Sequence, residues 1–159
     1  SVNVSSYITL RKDLRLSAWE QASASATYYK AIATLVDSNL YGWALVFPNG
    51  TFRSYFRTAG GNQTYCQISY GVKDRAYHHV VLTFVRSTGT VTYYADGNAI
   101  KTCASYPSGA IPTTFTNITI GSMITNFANQ WWRGSIDDVR LYGRAFSAAE
   151  VMALYNATK

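Results

Sequence analysis

His79-Val80-Val81-Leu82-Thr83-Phe84, the turn Ser87-Thr88-Gly89, then Val91-Thr92-Tyr93-Tyr94-Ala95 and Asp96-Gly97-Asn98 form the most regular stretch of this chain. Val80, Leu82 and Phe84 alternate with His79, Val81 and Thr83, and Val91, Tyr93 and Ala95 alternate with Thr92 and Tyr94. A period of two residues belongs to a strand packed on one side and wetted on the other. Asp-Gly supplies the positive φ angles that a tight hairpin needs. The same period recurs outward from this stretch. Phe52, Ser54 and Phe56 alternate with Arg53, Tyr55 and Arg57, and Ile118 and Ile120 with Asn117 and Thr119. Turn residues at Pro48-Asn49-Gly50 and Gly60-Gly61-Asn62 punctuate the runs. Many short strands so spaced predict an all-β sandwich or barrel. One segment breaks the period. Ser147-Ala148-Ala149-Glu150 reads as a capping box, and Val151, Leu154 and Tyr155 form one apolar stripe, so a short helix closes the chain.

Composition narrows the class. A chain of 159 residues suits one domain, because two halves of about 80 residues would each have a weak core. Charged residues are 14% and aromatic residues 15%, which excludes disorder. The longest apolar run, around Val80–Val85, holds about six residues where a membrane-spanning helix needs ~20. Solubility comes from 15 Ser and 17 Thr more than from charge. The first residue is Ser and no apolar leader precedes it, so the chain reads as a mature or trimmed product.

Five Asn-x-Ser/Thr triplets occur, at Asn3, Asn49, Asn62, Asn117 and Asn156, where chance would give about two. The excess points to an N-glycosylated surface protein; crowding of Asn and Thr into strand ends is the plainer alternative. Cys66 and Cys103 lie in separate polar segments, and with two His in all, a thiolate metal set is disfavoured. In an exported protein the simple reading is one disulfide between them; buried free thiols are the alternative.

The run Trp132-Arg133-Gly134-Ser135-Ile136-Asp137-Asp138-Val139-Arg140-Leu141-Tyr142-Gly143-Arg144-Ala145-Phe146-Ser147 through Leu154-Tyr155 resembles the closing signature of laminin-G-like jelly-roll domains, within the concanavalin-A-like lectin/glucanase superfamily. Leu16-Ser17-Ala18-Trp19 resembles that family's early core strand. Tyr77-His78-His79-Val80-Val81-Leu82-Thr83-Phe84 resembles its central strand, and Thr90–Asn98 the hairpin that follows. The resemblance covers roughly Leu14 to Tyr155. It implies two antiparallel sheets in a jelly-roll sandwich with one short C-terminal helix, the whole of 1–159 being a single domain. Family members carry an extra strand or two ahead of the early core strand, and here only Ser1 to Asp13 precede it. Either the amino-terminal strand is reduced to Val2–Leu10 or a neighbouring subunit completes an open sheet edge.

A hydrolase needs its acids as a set. The eight acids are Asp13, Glu20, Asp37, Asp74, Asp96, Asp137, Asp138 and Glu150. The Glu-x-Asp-x-x-Glu strand of the superfamily's glucanases is missing, and a glycosidase without paired carboxylates is disfavoured. Asp137 and Asp138 are adjacent, so on a strand they face opposite ways. They read as a hydrogen-bonding pair at the start of a strand, with calcium as the alternative; calcium wants ~6–8 oxygens, more than such scattered acids offer. His78 and His79 match a scaffold position of the family and read as structural. No catalytic residue, metal site or cofactor is expected.

The outward rows carry the functional expectation. Arg53, Tyr55 and Arg57 share the polar side of one strand, and Thr92 with Tyr94 that of another. On one sheet they would make aromatic planes flanked by guanidinium donors, a surface on which sugar rings stack. Asn129, Gln130 and Trp131 form a second candidate, with Trp132 at the family's buried aromatic position; Trp19 and Trp43 read as core. The formal charge is +6, yet the largest basic knot is only Arg11, Lys12 and Arg15, so nucleic acid is not an expected partner. A glycan or acidic polysaccharide fits better. The reading is an extracellular, non-catalytic glycan-binding or adhesion module. Its alternative is a glycosylated structural subunit of a cell-surface filament, sheath or virion appendage.

Overall fold

The computed structural model describes residues 8–9, 13–22, 31–37, 39–47, 51–58, 63–70, 75–104, 106, 114–122 and 131–159, with the backbone path alone at 8–9 and 63–65. Strands run through Ile8–Thr9 (β1), Leu14–Ala22 (β2), Ala31–Val36 (β3), Gly42–Val46 (β4), Thr51–Arg57 (β5) and Gln63–Ser69 (β6). His78–Val85 (β7), Thr90–Ala95 (β8), Asn98–Cys103 (β9), Thr114–Phe115 (β10), Asn117–Ile120 (β11) and Gly134–Tyr142 (β12) follow. Among the described residues one helix, α1, spans Ala148–Thr158. One five-stranded sheet has the order β11-β3-β4-β5-β6 and the other β12-β2-β7-β8-β9. Every pairing is antiparallel. Of the sandwich or barrel that the alternation left open, the two-sheet sandwich implied by the family resemblance is what forms, closed by the helix expected from the capping box.

The inward rows of both sheets make one core. Leu14, Leu16 and Ala18 of β2, Val80, Leu82 and Phe84 of β7, and Val91 and Tyr93 of β8 meet Ile32, Leu35, Trp43, Leu45, Phe52 and Phe56. Tyr93 buries its ring, and its hydroxyl donates to the Cys66 carbonyl and accepts from the Ser54 hydroxyl at 2.7 Å each, satisfying polar atoms that would otherwise be stranded. Desolvation pushes its pKa well up, so it stays a neutral donor. The Cys66–Cys103 disulfide, Cα–Cα 5.9 Å, ties edge strand β6 to edge strand β9. At the opposite edge Trp132 packs on the core beside Phe47 and donates its indole N–H to the Ser135 carbonyl.

Of the expected amino-terminal strand Val2–Leu10, Ile8 and Thr9 are described and pair with Phe115 and Thr114; the remainder of that segment lies outside the described residues.

Helix α1 covers the outer face of the second sheet. Ser147 and Glu150 form the expected capping box, Glu150 N–H reaching Ser147 Oγ and Ser147 N–H reaching Glu150 Oε2. Val151 is buried against Val81 and Tyr94. The helix sits on the β8–β9 hairpin tip, where a Cβ at Gly97 would come within 2.7 Å of Met152 Sδ. Two sequence expectations change here. Trp19 is not in the inter-sheet core: it faces outward, stacks near His79 and Tyr155 and donates its N–H to Thr158 Oγ1. Arg15, read with Arg11 and Lys12 as the largest basic knot, is wholly buried, with its guanidinium carbon 3.2 Å from the Phe146 ring centre and 3.7 Å from that of Tyr142. Period two puts both residues on the outer row, and the helix segment then closes over that row.

Two predictions follow from this packing. The disulfide closes a loop of 37 residues. Replacing both cysteines by Ala should lower unfolding free energy in urea by about 3–4 kcal/mol. His79 is buried, and desolvation lowers its pKa below the ordinary 6.5 despite the opposing pull of Asp96; Asp138 also raises it, while Arg15 and Arg140 lower it. The unfolded chain therefore binds this proton more readily, so stability falls as pH drops below about 6.5. The thermal midpoint of His79→Phe, which keeps the ring stack, should vary less between pH 8 and 5 than that of the parent.

Candidate functional site

Strand β5 shows strict alternation: Phe52, Ser54 and Phe56 are buried while Arg53, Tyr55 and Arg57 point out. Register places Ala44 and Val46 of β4 beside Tyr55 and Arg53 on one flank, and Gln67 of β6 beside Arg53 on the other. The β3–β4 part of this outer face, Ala31, Ala44 and Val46, is buried with Tyr55 packed against it. Among the described side chains of β5 and β6 on this face, Arg57 and Gln67 are exposed while Arg53 and Tyr55 are half-buried. Arg53 Nη1 donates to the Tyr55 hydroxyl at 3.3 Å, holding guanidinium and phenol as one unit. Arg57 is exposed and lies 6.0 Å from the Tyr41 ring centre. No strand of this sheet contains Asp, Glu or Lys, so Arg53 and Arg57 are its only charged side chains. Arg53 and Arg57 are about 13 Å apart along the strand at ~3.3 Å per residue.

Tyr94 does not join them. It belongs to β8 in the other sheet and is 7% exposed beneath Val151 of the helix. Burial raises its pKa. The expected single surface of Arg53, Tyr55, Arg57 and Tyr94 is therefore divided between opposite sides of the sandwich. The cause is a topological one. Hairpin β7–β8 extends the sheet of β2, and alternation along a strand carries no information about which sheet the strand joins.

Trp131 is 63% exposed, the most open large apolar side chain among the described residues. It bridges Ser122, whose carbonyl accepts the hydroxyls of Thr34 and Thr119. Its neighbour Trp132 turns into the core, as the family pattern implies. Asn129 and Gln130 lie outside the described residues. So do the acceptor positions Asn3, Asn49 and Asn62. Asn117 stands on edge strand β11 and donates to Thr116 Oγ1. Asn156 is exposed on α1, though the Thr158 hydroxyl of its triplet is engaged by Trp19 and the Leu154 carbonyl.

Sequence reasoning missed one polar cluster. Asp96 at the hairpin tip, in the left-handed region at φ 47°, takes the His79 N–H on Oδ1 at 3.0 Å. Its Oδ2 lies 2.8 Å from His78 Nδ1 and accepts the Tyr70 hydroxyl at 3.4 Å. These contacts clamp the start of β7 to the tip of β8–β9. The signal was present in Asp96-Gly97, which reads as a turn alone until register sets it beside His78 and His79. Gln67 was missed as well, because Gln63–Ser69 shows no clean alternation. Asp137 and Asp138 sit inside β12 at a register shift, not at the start of a strand. Asp138, at φ 47°, accepts Arg140 Nε at 2.7 Å, and its N–H donates to Asp137 Oδ1. Among the described residues no group of three or more His, Cys, Asp or Glu is gathered for a metal ion.

A laminin G-type family model, described as the concanavalin A-like lectin/glucanases superfamily, matches residues 2–152. No curated protein matches the chain. Among solved structures, the binding domain of botulinum neurotoxin DC in complex with rat synaptotagmin II is similar at TM-score 0.74 and 14% identity, over 95% of this chain and 37% of that one. A structure of botulinum neurotoxin type C, whose cell entry is dependent upon interaction with two ganglioside molecules, gives 0.72 and 15%, over 95% and 37%. The binding domain of Paraclostridial Mosquitocidal Protein 1 gives 0.73 and 15%, over 95% and 38%. The chain thus spans well under half the length of these proteins, and at such identities the likeness is one of fold.

Proposed function

The chain belongs to the concanavalin A-like lectin/glucanase superfamily, and from that premise we propose that it is an extracellular, non-catalytic module that binds acidic glycans. The observation that carries this reading is the acid-free sheet whose only charges, Arg53 and Arg57, flank Tyr55 on its outer row. An extended chain of sugars laid along β5 stacks a ring on Tyr55, while carboxylate or sulfate groups meet a guanidinium on either side. The exposed amide of Gln67 adds a hydrogen bond to a ring hydroxyl. The +6 charge assists encounter with a polyanion, and the structurally similar domains come from receptor-binding proteins. The disulfide suits an oxidising, extracellular setting. Nothing in the reading calls for a cofactor. The acids that are placed serve other ends: Asp96 clamps a hairpin, Asp138 meets Arg140, and Glu150 caps the helix, where the Arg144 hydrogen bond first and the Ser147 N–H second hold its pKa down at about 2.

Glycan-array binding followed by calorimetry tests the site. Tyr55→Ala and the pair Arg53→Ala/Arg57→Ala should each weaken binding of sulfated or uronic oligosaccharides by tenfold or more, at about 1.4 kcal/mol per factor of ten. Raising salt from 0.05 to 0.5 M should weaken it further, because the guanidinium–anion part is screened. Neutral oligosaccharides bound equally well by parent and double variant would overturn the acidic assignment. Expression through a eukaryotic secretory route should add N-glycan mass at Asn117, measurable on the tryptic peptide and removed by Asn117→Gln.

A further inference from the structure

Exposed apolar side chains are unevenly placed on this molecule. Of the four large ones among the described residues, Trp131, Tyr77 and Ile120 are 63%, 48% and 41% exposed; the fourth is Leu40. Register puts those three at one end of the sandwich. Glu20 of β2 is paired with His78, so Tyr77 lies just beyond that pair, beside Gln21. Gly134, three residues after Trp131, pairs with Ala22, one residue further along the same strand. Ile120 pairs with Ala33, and from there Gly121 N–H bonds to the Ile32 carbonyl and Trp132 N–H to the Gly121 carbonyl. Leu40 is at the other end, in the turn between β3 and β4.

Two exposed arginines stand at that same end. Arg75, at φ 64°, has its carbonyl held by the Gln21 side-chain amide at 2.6 Å, so its backbone is tied to β2 while its side chain is open. Arg133 follows the two tryptophans and is exposed too. Trp and Tyr are the side chains that sit best where an apolar layer meets a polar one. Exposed Trp, Tyr and Ile side chains with two arginines at the same end have the chemistry of a surface that rests on a bilayer, apolar groups reaching the acyl boundary and guanidinium groups meeting phosphates. No helix of the described residues is long and apolar enough to cross a membrane.

We propose that this end of the sandwich docks on an anionic phospholipid surface through Trp131, Tyr77 and Ile120, with Arg75 and Arg133 pairing to lipid phosphates. This goes beyond the glycan site: it uses a different surface and needs no sugar.

Co-sedimentation with vesicles of phosphatidylcholine alone and with a third phosphatidylserine, both free of sugar, tests it separately. The parent should bind the mixed vesicles and not the neutral ones, with Trp emission shifting to the blue. Trp131→Ala and Tyr77→Ala should each lower binding several-fold, and Trp131→Phe should lose the blue shift. Arg75→Ala and Arg133→Ala should each cost about fivefold. Lys101→Ala, which removes an equal charge from exposed β9, should leave binding unchanged. All five positions are exposed, and matched thermal midpoints confirm that each variant is folded. No binding to sugar-free mixed vesicles overturns the proposal, whatever the glycan arrays report. So does binding indifferent to Trp131 and Tyr77, or weakened equally by Lys101→Ala, since either would be attraction of a basic chain as a whole.

Discussion

Each of the two sheets presents an inward row of aromatic and aliphatic side chains that water cannot accommodate, and burial of one row requires the other. Phe52, Phe56, Trp43 and Leu45 from one side meet Leu82, Phe84, Val91 and Tyr93 from the other. Apolar burial is worth roughly 25 cal/mol per Å2, so these rows dominate the favourable side of folding. Tyr93 is the polar exception. Its hydroxyl, shared between Ser54 and the Cys66 carbonyl, gives the facing sheets a directional tie within an otherwise non-directional core. The disulfide nearby covalently closes the same edge.

That shared core frees the two outer faces for different uses. On the second sheet the outer row is itself apolar or polarizable, with Trp19, His79, Val81 and Tyr94, and the terminal helix covers it. Arg15 is enclosed there under Phe146 and Tyr142, with no described acid paired to it. The aromatic faces offset part of its desolvation, which lowers its pKa. On the first sheet no helix of the described residues lies over β5, where Arg57 is exposed and Arg53 and Tyr55 are half-buried.

The charge distribution sharpens the same division. Acids on the described strands, Glu20, Asp137 and Asp138, all belong to the helix-covered sheet, and Asp96 stands at its hairpin tip. The opposite sheet carries two arginines and no acid. A net charge read from the whole chain cannot reveal this separation. It emerges only when strands are sorted into sheets.

Alternation, turn residues and the capping box, read from the sequence alone, determined that the chain is an all-β sandwich or barrel with a closing helix, and the resemblance of the closing run pointed to the sandwich. They also determined which residues of β5 and β7 turn inward. These features are local: each rests on a handful of neighbouring residues and on the two-residue pleat. Which sheet a strand enters, and what covers its outer face, are decided by contacts between residues far apart in sequence. Tyr94 and Tyr55 look alike as outward tyrosines on alternating strands, yet one lies under Val151 and the other stays half-buried on the outer row of β5. Arg15 reads as one of a basic knot until Phe146, more than a hundred residues later, folds over it. The pleat gives every side chain a side, and only the assembled tertiary structure settles whether that side meets water, because burial there depends on what else packs against it.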